Sequence, residues 1–118
     1  MPINVNFFSF DAQTIGTTET DLTSNTTTLQ ARTTVGLFTL CLDAFNMTAT
    51  ERYRVRIYER ATAASTQRIL QEVELIGVQT AEPLYITPGL PMGNGWTFSL
   101  QLLQGTARAF SWSIRAVT

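Results

Sequence analysis

Arg52-Tyr53-Arg54-Val55-Arg56-Ile57-Tyr58-Glu59-Arg60, followed after a short link by Gln67-Arg68-Ile69-Leu70-Gln71-Glu72-Val73-Glu74-Leu75-Ile76, decides the fold. Side chains alternate across an extended strand, so Tyr53, Val55 and Ile57 share one face and Arg52, Arg54, Arg56, Tyr58 and Arg60 share the other. In the second run Ile69, Val73 and Leu75 share a face, opposite to Arg68, Leu70, Glu72 and Glu74. A hairpin with Arg60 opposite Arg68 sets Arg56 against Glu72 and Arg54 against Glu74. The same register sets Val55 against Val73 and Tyr53 against Leu75. A register that satisfies both faces at once is what specifies strand pairing. Two structural ion pairs are read from it, Arg54 with Glu74 and Arg56 with Glu72.

The rest of the chain extends this pattern. Ile3, Val5 and Phe7 alternate with Asn4 and Asn6, which predicts a first strand up to about Phe10. Residues 11–34 are rich in Thr, Ser and Asn, and Ile15, Leu22 and Leu29 are spaced too widely for a helix stripe. A short edge strand near 13–20 and a long loop through 21–33 are expected there. Val35 to Leu42 is a nearly continuous apolar run, the mark of a strand covered on both faces. Asp43 to Thr50 turns the chain, with a helical turn expected at 48–51. Leu84 to Thr87 is a short strand ending at Pro88-Gly89, and Pro91 to Gly95 forms a loop at a sheet edge. Trp96, Phe98, Leu100 and Leu102 alternate with polar residues, as do Phe110, Trp112 and Ile114. The turn Gln104-Gly105-Thr106-Ala107 between them predicts a second hairpin with an aromatic inner face.

The expected fold is all-β, an antiparallel β-sandwich of about seven or eight strands, with jelly-roll and immunoglobulin-like topologies both open. One domain is expected, in which residues 1–34 supply a strand and a Thr-rich arm and residues 35–118 the sandwich core. The arm has the weakest core-forming pattern. It is therefore expected to be dispensable for folding and to carry contacts to partners, through Ile3, Val5, Phe7, Phe8, Thr26, Thr27 and Thr28.

Composition narrows the function. The chain has 118 residues, 44% apolar and 14% charged, with net charge −1 and arginine as its only basic residue type. Nothing here resembles the basic footprint of a nucleic-acid binder. The first residues lack the charged and apolar regions of a signal peptide, and no apolar run approaches the ~20 residues of a membrane span. Synthesis in a cytoplasm is expected, with no membrane partner. The matches to the glycosylation sequon at Asn25 and Asn46 are read as chance.

Chemistry is poorly provided for. There is no histidine and a single cysteine, Cys41. The commonest general base is therefore missing, and so are the ligands of a zinc site. Cys41 sits in the most apolar strand and reads as an inert, buried thiol. Asp11, Asp21, Asp43 and the six glutamates could in principle supply a glycosidase-type pair. Glu72 and Glu74, however, face arginines. No catalytic residue, cofactor or metal is expected.

Three groups of residues carry a family resemblance. They are Gln13-Thr14-Ile15-Gly16-Thr17-Thr18-Glu19; the strand Tyr53 to Arg60 with Thr66-Gln67-Arg68; and Gly95-Trp96 with Gly105-Thr106-Ala107-Arg108 and Trp112-Ser113-Ile114-Arg115. Over most of its length the chain resembles small proteins of tailed bacteriophages, encoded among head-assembly genes and thought to be capsid decoration or cement proteins. The link Ala61 to Thr66 departs from that pattern in lacking glycine.

The resemblance implies a virion protein made in the bacterial host cytoplasm. Its partners would be the major capsid protein on the outer surface of the assembled head and further copies of itself. A homotrimer is expected, with a dimer as the alternative. A second reading is a tail or fibre-associated module that binds carbohydrate through exposed Trp96 or Trp112. A small glycan-active enzyme is a third.

Overall fold

The computed structural model describes residues 2–118, and every regular element among them is a strand. They are β1 (Ile3–Ile15), β2 (Thr20–Asp21), β3 (Gly36–Asp43), β4 (Arg52–Glu59), β5 (Arg68–Ile76), β6 (Leu84–Ile86), β7 (Leu90–Met92), β8 (Thr97–Gln104) and β9 (Arg108–Val117). One sheet has the order β1-β9-β3-β6, with β7 also on β3; the other has the order β2-β8-β4-β5. All pairings are antiparallel.

The pairs are nested in sequence: β1 with β9, β2 with β8, β3 with β6 and β7, β4 with β5. This is a long hairpin wrapped into two sheets, the jelly-roll solution to closing an antiparallel sandwich. The immunoglobulin-like alternative falls away.

The central strands β3, β4, β8 and β9 form as they do because each has an apolar face to bury. Phe38, Leu40, Leu42, Phe110 and Ile114 from one sheet meet Tyr53, Val55, Trp96, Phe98 and Leu100 from the other, all fully or almost fully buried. The Phe38 and Trp96 rings are centred 4.0 Å apart, and Tyr53 meets Phe110 edge-on at 4.6 Å. These two contacts lock the sheets together at either end of the aromatic core.

The hairpin register holds from Arg52↔Ile76 to Ile57↔Gln71, including Arg54↔Glu74, Val55↔Val73 and Arg56↔Glu72. It then slips by one residue, so Tyr58 faces Ile69 and Glu59 faces Arg68. Arg60 is therefore not opposite Arg68. The extra residue on β5 is Leu70, a β-bulge that keeps Tyr58 on the arginine face while the strand ends.

Two expectations are corrected. β8 and β9 do not form a hairpin: β8 lies between β2 and β4, and β9 between β1 and β3. Both strands have an aromatic inner face, and the faces meet across the core instead of lying side by side.

The first 34 residues do not behave as an arm either. β1 runs unbroken from Ile3 to Ile15 beside β9, and Ile15 and Leu22 are wholly buried. The expected edge strand near 13–20 reduces to the end of β1 and the two residues of β2. The following segment is tied down through Arg32, whose backbone N–H donates to Trp96 O at 2.8 Å. At 48–51 the chain makes a single turn, closed by Glu51 N–H to Thr48 O at 3.2 Å.

Candidate functional site

The charged face of β4 and β5 has the expected register but not all the expected pairs. Arg56 Nε donates to Glu72 Oε1 at 2.9 Å. Arg54 does not reach Glu74. Its Nε lies 3.2 Å from Glu72 Oε1 without hydrogen-bond alignment, and its Nη2 donates to Gln101 Oε1 at 2.6 Å. Glu74 instead accepts from Arg52 Nη2 at 2.6 Å. Long guanidinium arms reach diagonally as easily as straight across, so opposition in register sets the neighbourhood and not the partner. The Tyr58 hydroxyl on this face donates to Glu19 Oε2 at 2.6 Å. Burial, then Glu19, pushes its ionisation above the ordinary value.

Three carboxylates that sequence periodicity passed over organise the molecule. Asp21 is wholly buried. Its Oδ1 accepts from Thr23 N–H at 2.8 Å, the Thr23 hydroxyl at 2.6 Å, Ser24 N–H at 3.1 Å and the Ser24 hydroxyl at 3.3 Å. Its Oδ2 accepts from Gln30 N–H at 2.7 Å and the Thr97 hydroxyl at 2.6 Å. Glu19 accepts from Tyr58 and from the Ser99 hydroxyl. Thr97, Ser99 and Gln101 thus turn their polar atoms to Asp21, Glu19 and the Thr17 carbonyl. That ladder covers the outer face of β8.

Glu51, the third, has no exposed surface and accepts from Arg108 Nε at 2.8 Å, Thr48 N–H at 2.7 Å and the Thr50 hydroxyl at 2.7 Å. Arg108, then Thr50, holds its carboxyl well below the usual range. Asp21 and Glu51 are thus buried with their oxygens taken up by donors, and Glu19 is held by the Tyr58 and Ser99 hydroxyls. Among the described residues no group of three or more His, Cys, Asp or Glu is placed to hold a metal ion.

The two tryptophans are core residues. Trp96 and Trp112 are 0% and 4% exposed, and their indole N–H groups donate to Thr34 O at 2.9 Å and Leu22 O at 2.8 Å. The aromatic platform on which sugar binding rested is therefore not on the surface. Cys41 is 8% exposed. It points to the outer side of its sheet, in register with Ser113 and Ile86, because Leu40 and Leu42 take the inner side.

The surface feature that stands out is an apolar row. Ile3 lies opposite Val117, Val117 opposite Leu37, and Leu37 opposite Pro91, so one residue from each of four neighbouring strands lines up across the sheet. Phe38 next to Leu37 points into the core, which turns the whole row outward. Ile3 is 74% exposed, Leu37 44%, and Val35 beside them 76%. Val35, Leu37, Pro91 and Val117 line a groove of about 510 Å³ that ends at Glu59.

Of the expected contact residues, Ile3 belongs to this row, and Val5 is exposed on the same strand. Phe7 and Phe8 are half-buried: Phe7 packs edge-on against Phe38 at 5.6 Å, and Arg32 lies 4.9 Å over the Phe8 ring. They serve the core and its rim. Thr26, Thr27 and Thr28 are exposed, but in the loop after β2, and register does not bring them to the row. Compared with protein-family models, curated proteins and solved structures, the chain matches none of them.

Proposed function

We propose that this chain is a capsid decoration protein that binds the outer surface of an assembled tailed-phage head and stabilises it. The observation that carries the reading is the apolar row Ile3–Val117–Leu37–Pro91 with Val35. Water-exposed aliphatic side chains aligned across four strands are an unused binding surface, since contiguous apolar patches mark interaction sites. The engaged carboxylates support a binding role over a catalytic one. Jelly rolls recur in viral shells and in lectins, so the fold is compatible with the reading without selecting it.

A protein that binds only the assembled lattice adds its binding free energy to the shell, about 2.7 kcal/mol per site at a hundredfold excess over Kd. Contacts from one oligomer to several capsid subunits multiply this through effective concentration. A homotrimer on the local three-fold positions matches the lattice symmetry. The test is occupancy. Added to heads stripped of it, the wild-type chain should bind in many copies and raise their heat resistance. Leu37→Ser with Val35→Ser should bind at least tenfold more weakly while folding normally. A few copies at the tail, or a double variant that saturates heads as the wild type does, would overturn the proposal.

A further inference from the structure

We infer that Arg60 and Arg68 form a carboxylate-reading subsite at the same end of the sandwich, fitted to a partner protein segment that sets an acidic side chain beside an apolar one. The inference rests on the reading of the chain as a protein-binding module, but not on the partner being a phage head.

The argument starts from where the arginines go. Arg52, Arg54, Arg56 and Arg108 each have a carboxylate within reach. Among the described residues Arg32, Arg60, Arg68 and Arg115 have none. Arg32 is taken up by the Thr23 hydroxyl and the Phe8 ring and Arg115 lies by Ser113, whereas Arg60 and Arg68 share one groove, with Arg68 directly opposite Glu59 in register. Glu59 is committed elsewhere: its Oε1 accepts from Arg60 N–H at 3.1 Å and its Oε2 from Gly93 N–H at 3.2 Å. It therefore holds the 93–95 loop and makes an ion pair with neither guanidinium, although its carboxylate lines the same groove.

Arg60 is held in place by Gly95. A Cβ at Gly95 would come within 3.0 Å of Arg60 Nε and 3.1 Å of its guanidinium carbon, so the side chain lies flat on the bare backbone there. Its Nε is covered and has no acceptor in the chain. A guanidinium already ordered loses little further entropy on binding a carboxylate, and its planar fork suits one.

Arg60 and Arg68 line one groove of about 470 Å³, the volume of a short peptide segment, with Thr66 between them in sequence. Its rim carries Ile69 and Leu70, 45% and 51% exposed. Glu59 borders both this groove and the apolar one, so the two lie side by side at that residue. A partner seated on Val35 and Leu37 is thereby brought to the arginine pair. Two cations and an aliphatic rim suit an isolated acidic side chain with an apolar neighbour. A nucleic acid needs a longer cationic track, and Glu72 and Glu74 on the same strand oppose one.

Two experiments test this. In the first, arginine Nε–Hε NMR signals of the whole protein are titrated with acetyl-Ile-Asp-Leu-Glu-amide, with its Asn/Gln counterpart, and with inorganic phosphate at equal ionic strength. The Arg60 and Arg68 signals should move saturably with the acidic peptide alone, while those of Arg52 and Arg56 stay put. Equal shifts from the amide peptide or from phosphate, or no shift at all, would overturn the inference.

In the second, Arg68→Glu should bind heads about tenfold or more weakly and with a flatter salt dependence. Arg68 is exposed, so this variant folds even if changes at Arg60 disturb the 93–95 loop. If Arg68→Glu bound heads like the wild type, the subsite would fall and the decoration reading would stand. If the wild type did not bind heads, the decoration reading would fall and the peptide titration would still judge the subsite.

Discussion

Replacing Asp21 by Asn removes one oxygen from the most heavily used acceptor in the molecule. The carboxylate takes hydrogen bonds from the backbone N–H groups of Thr23, Ser24 and Gln30 and from the hydroxyls of Thr23, Ser24 and Thr97. An amide NH2 in either position points a donor at donors. Toward Oδ2 it meets Gln30 N–H; toward Oδ1 it meets Thr23 N–H and Ser24 N–H. The hydroxyls can rotate and accept, but a backbone N–H cannot, so at least one buried donor is orphaned in either orientation. Losing that partner costs about 1–3 kcal/mol, and weakening the charge-assisted bonds that remain brings the total to about 2–4 kcal/mol. For a domain of this size that is roughly 8–16 °C in Tm. Urea unfolding followed by tryptophan fluorescence measures it, because Trp96 and Trp112 are both anchored to the 22–34 segment. Amide exchange should quicken first at Thr23, Ser24 and Gln30. A loss under about 1 kcal/mol, or exchange unchanged at those three amides, would refute the reasoning.

Glu51 has its carboxyl held below its ordinary value of 4.5, chiefly by Arg108. The stability it contributes is complete above that value and is lost as pH falls toward the lower folded-state one. Below pH 4.5 the wild type should lose stability more steeply than Glu51→Gln; parallel acid limbs in the two proteins would count against this. The Arg52–Glu74 pair is 41% and 35% exposed on its two side chains, so Glu74→Gln should change stability by less than about 1 kcal/mol, and less still in high salt. Gly95→Ala should destabilise by about 1–2 kcal/mol, since Gly95 has φ +76° and the new methyl meets Arg60; a neutral result in urea titration would contradict both the backbone strain and the contact. Cys41 should react with a bulky thiol reagent only slowly under native conditions, because it is 8% exposed; labelling at the rate of the unfolded chain would contradict its placement.

The parts of the fold legible in the sequence were those in which one strand pair satisfied both of its faces. Arg54, Val55 and Arg56 fall opposite Glu74, Val73 and Glu72 in register because no slipped register matches apolar to apolar and charge to charge at once, though the side chain of Arg54 bonds Gln101 and not Glu74. The slip at Leu70 was hidden, since Ile69 and Leu70 are both apolar and alternation alone puts one of them inside, whereas both are about half exposed. Alternation in β8 and β9 told which side of each strand is buried, but not whether the two lie side by side or across a core. Residues 21–33 read as a long loop of the Thr-rich arm because they are held by Asp21 and Arg32 through hydrogen bonds, and these have no period to detect. Thr97 and Ser99, the polar side of the alternation in β8, are fully buried for the same reason. The apolar row was out of reach altogether. It takes one residue from each of four strands, and nothing local marks Ile3, Leu37, Pro91 or Val117 as neighbours.

The edges of the sheets bear on how such a molecule meets a partner. β1 is a free edge of 13 residues, long enough to template another strand. Its register against β9 breaks between Asn4 and Phe8 and again between Phe10 and Gln13. At the second break Ala12 takes φ +52°, and its N–H is satisfied by Ser111 Oγ at 3.0 Å. The opposite sheet ends in β5, which carries the Leu70 bulge and presents Glu72 and Glu74. Bulges and edge charges are the usual barriers to open-ended strand addition. Both long edges thus carry features that disfavour strand addition from another copy or a partner. Recognition falls to side-chain surfaces, which fix one orientation and allow a closed oligomer. The apolar row and the adjoining Arg60–Arg68 groove form such a surface.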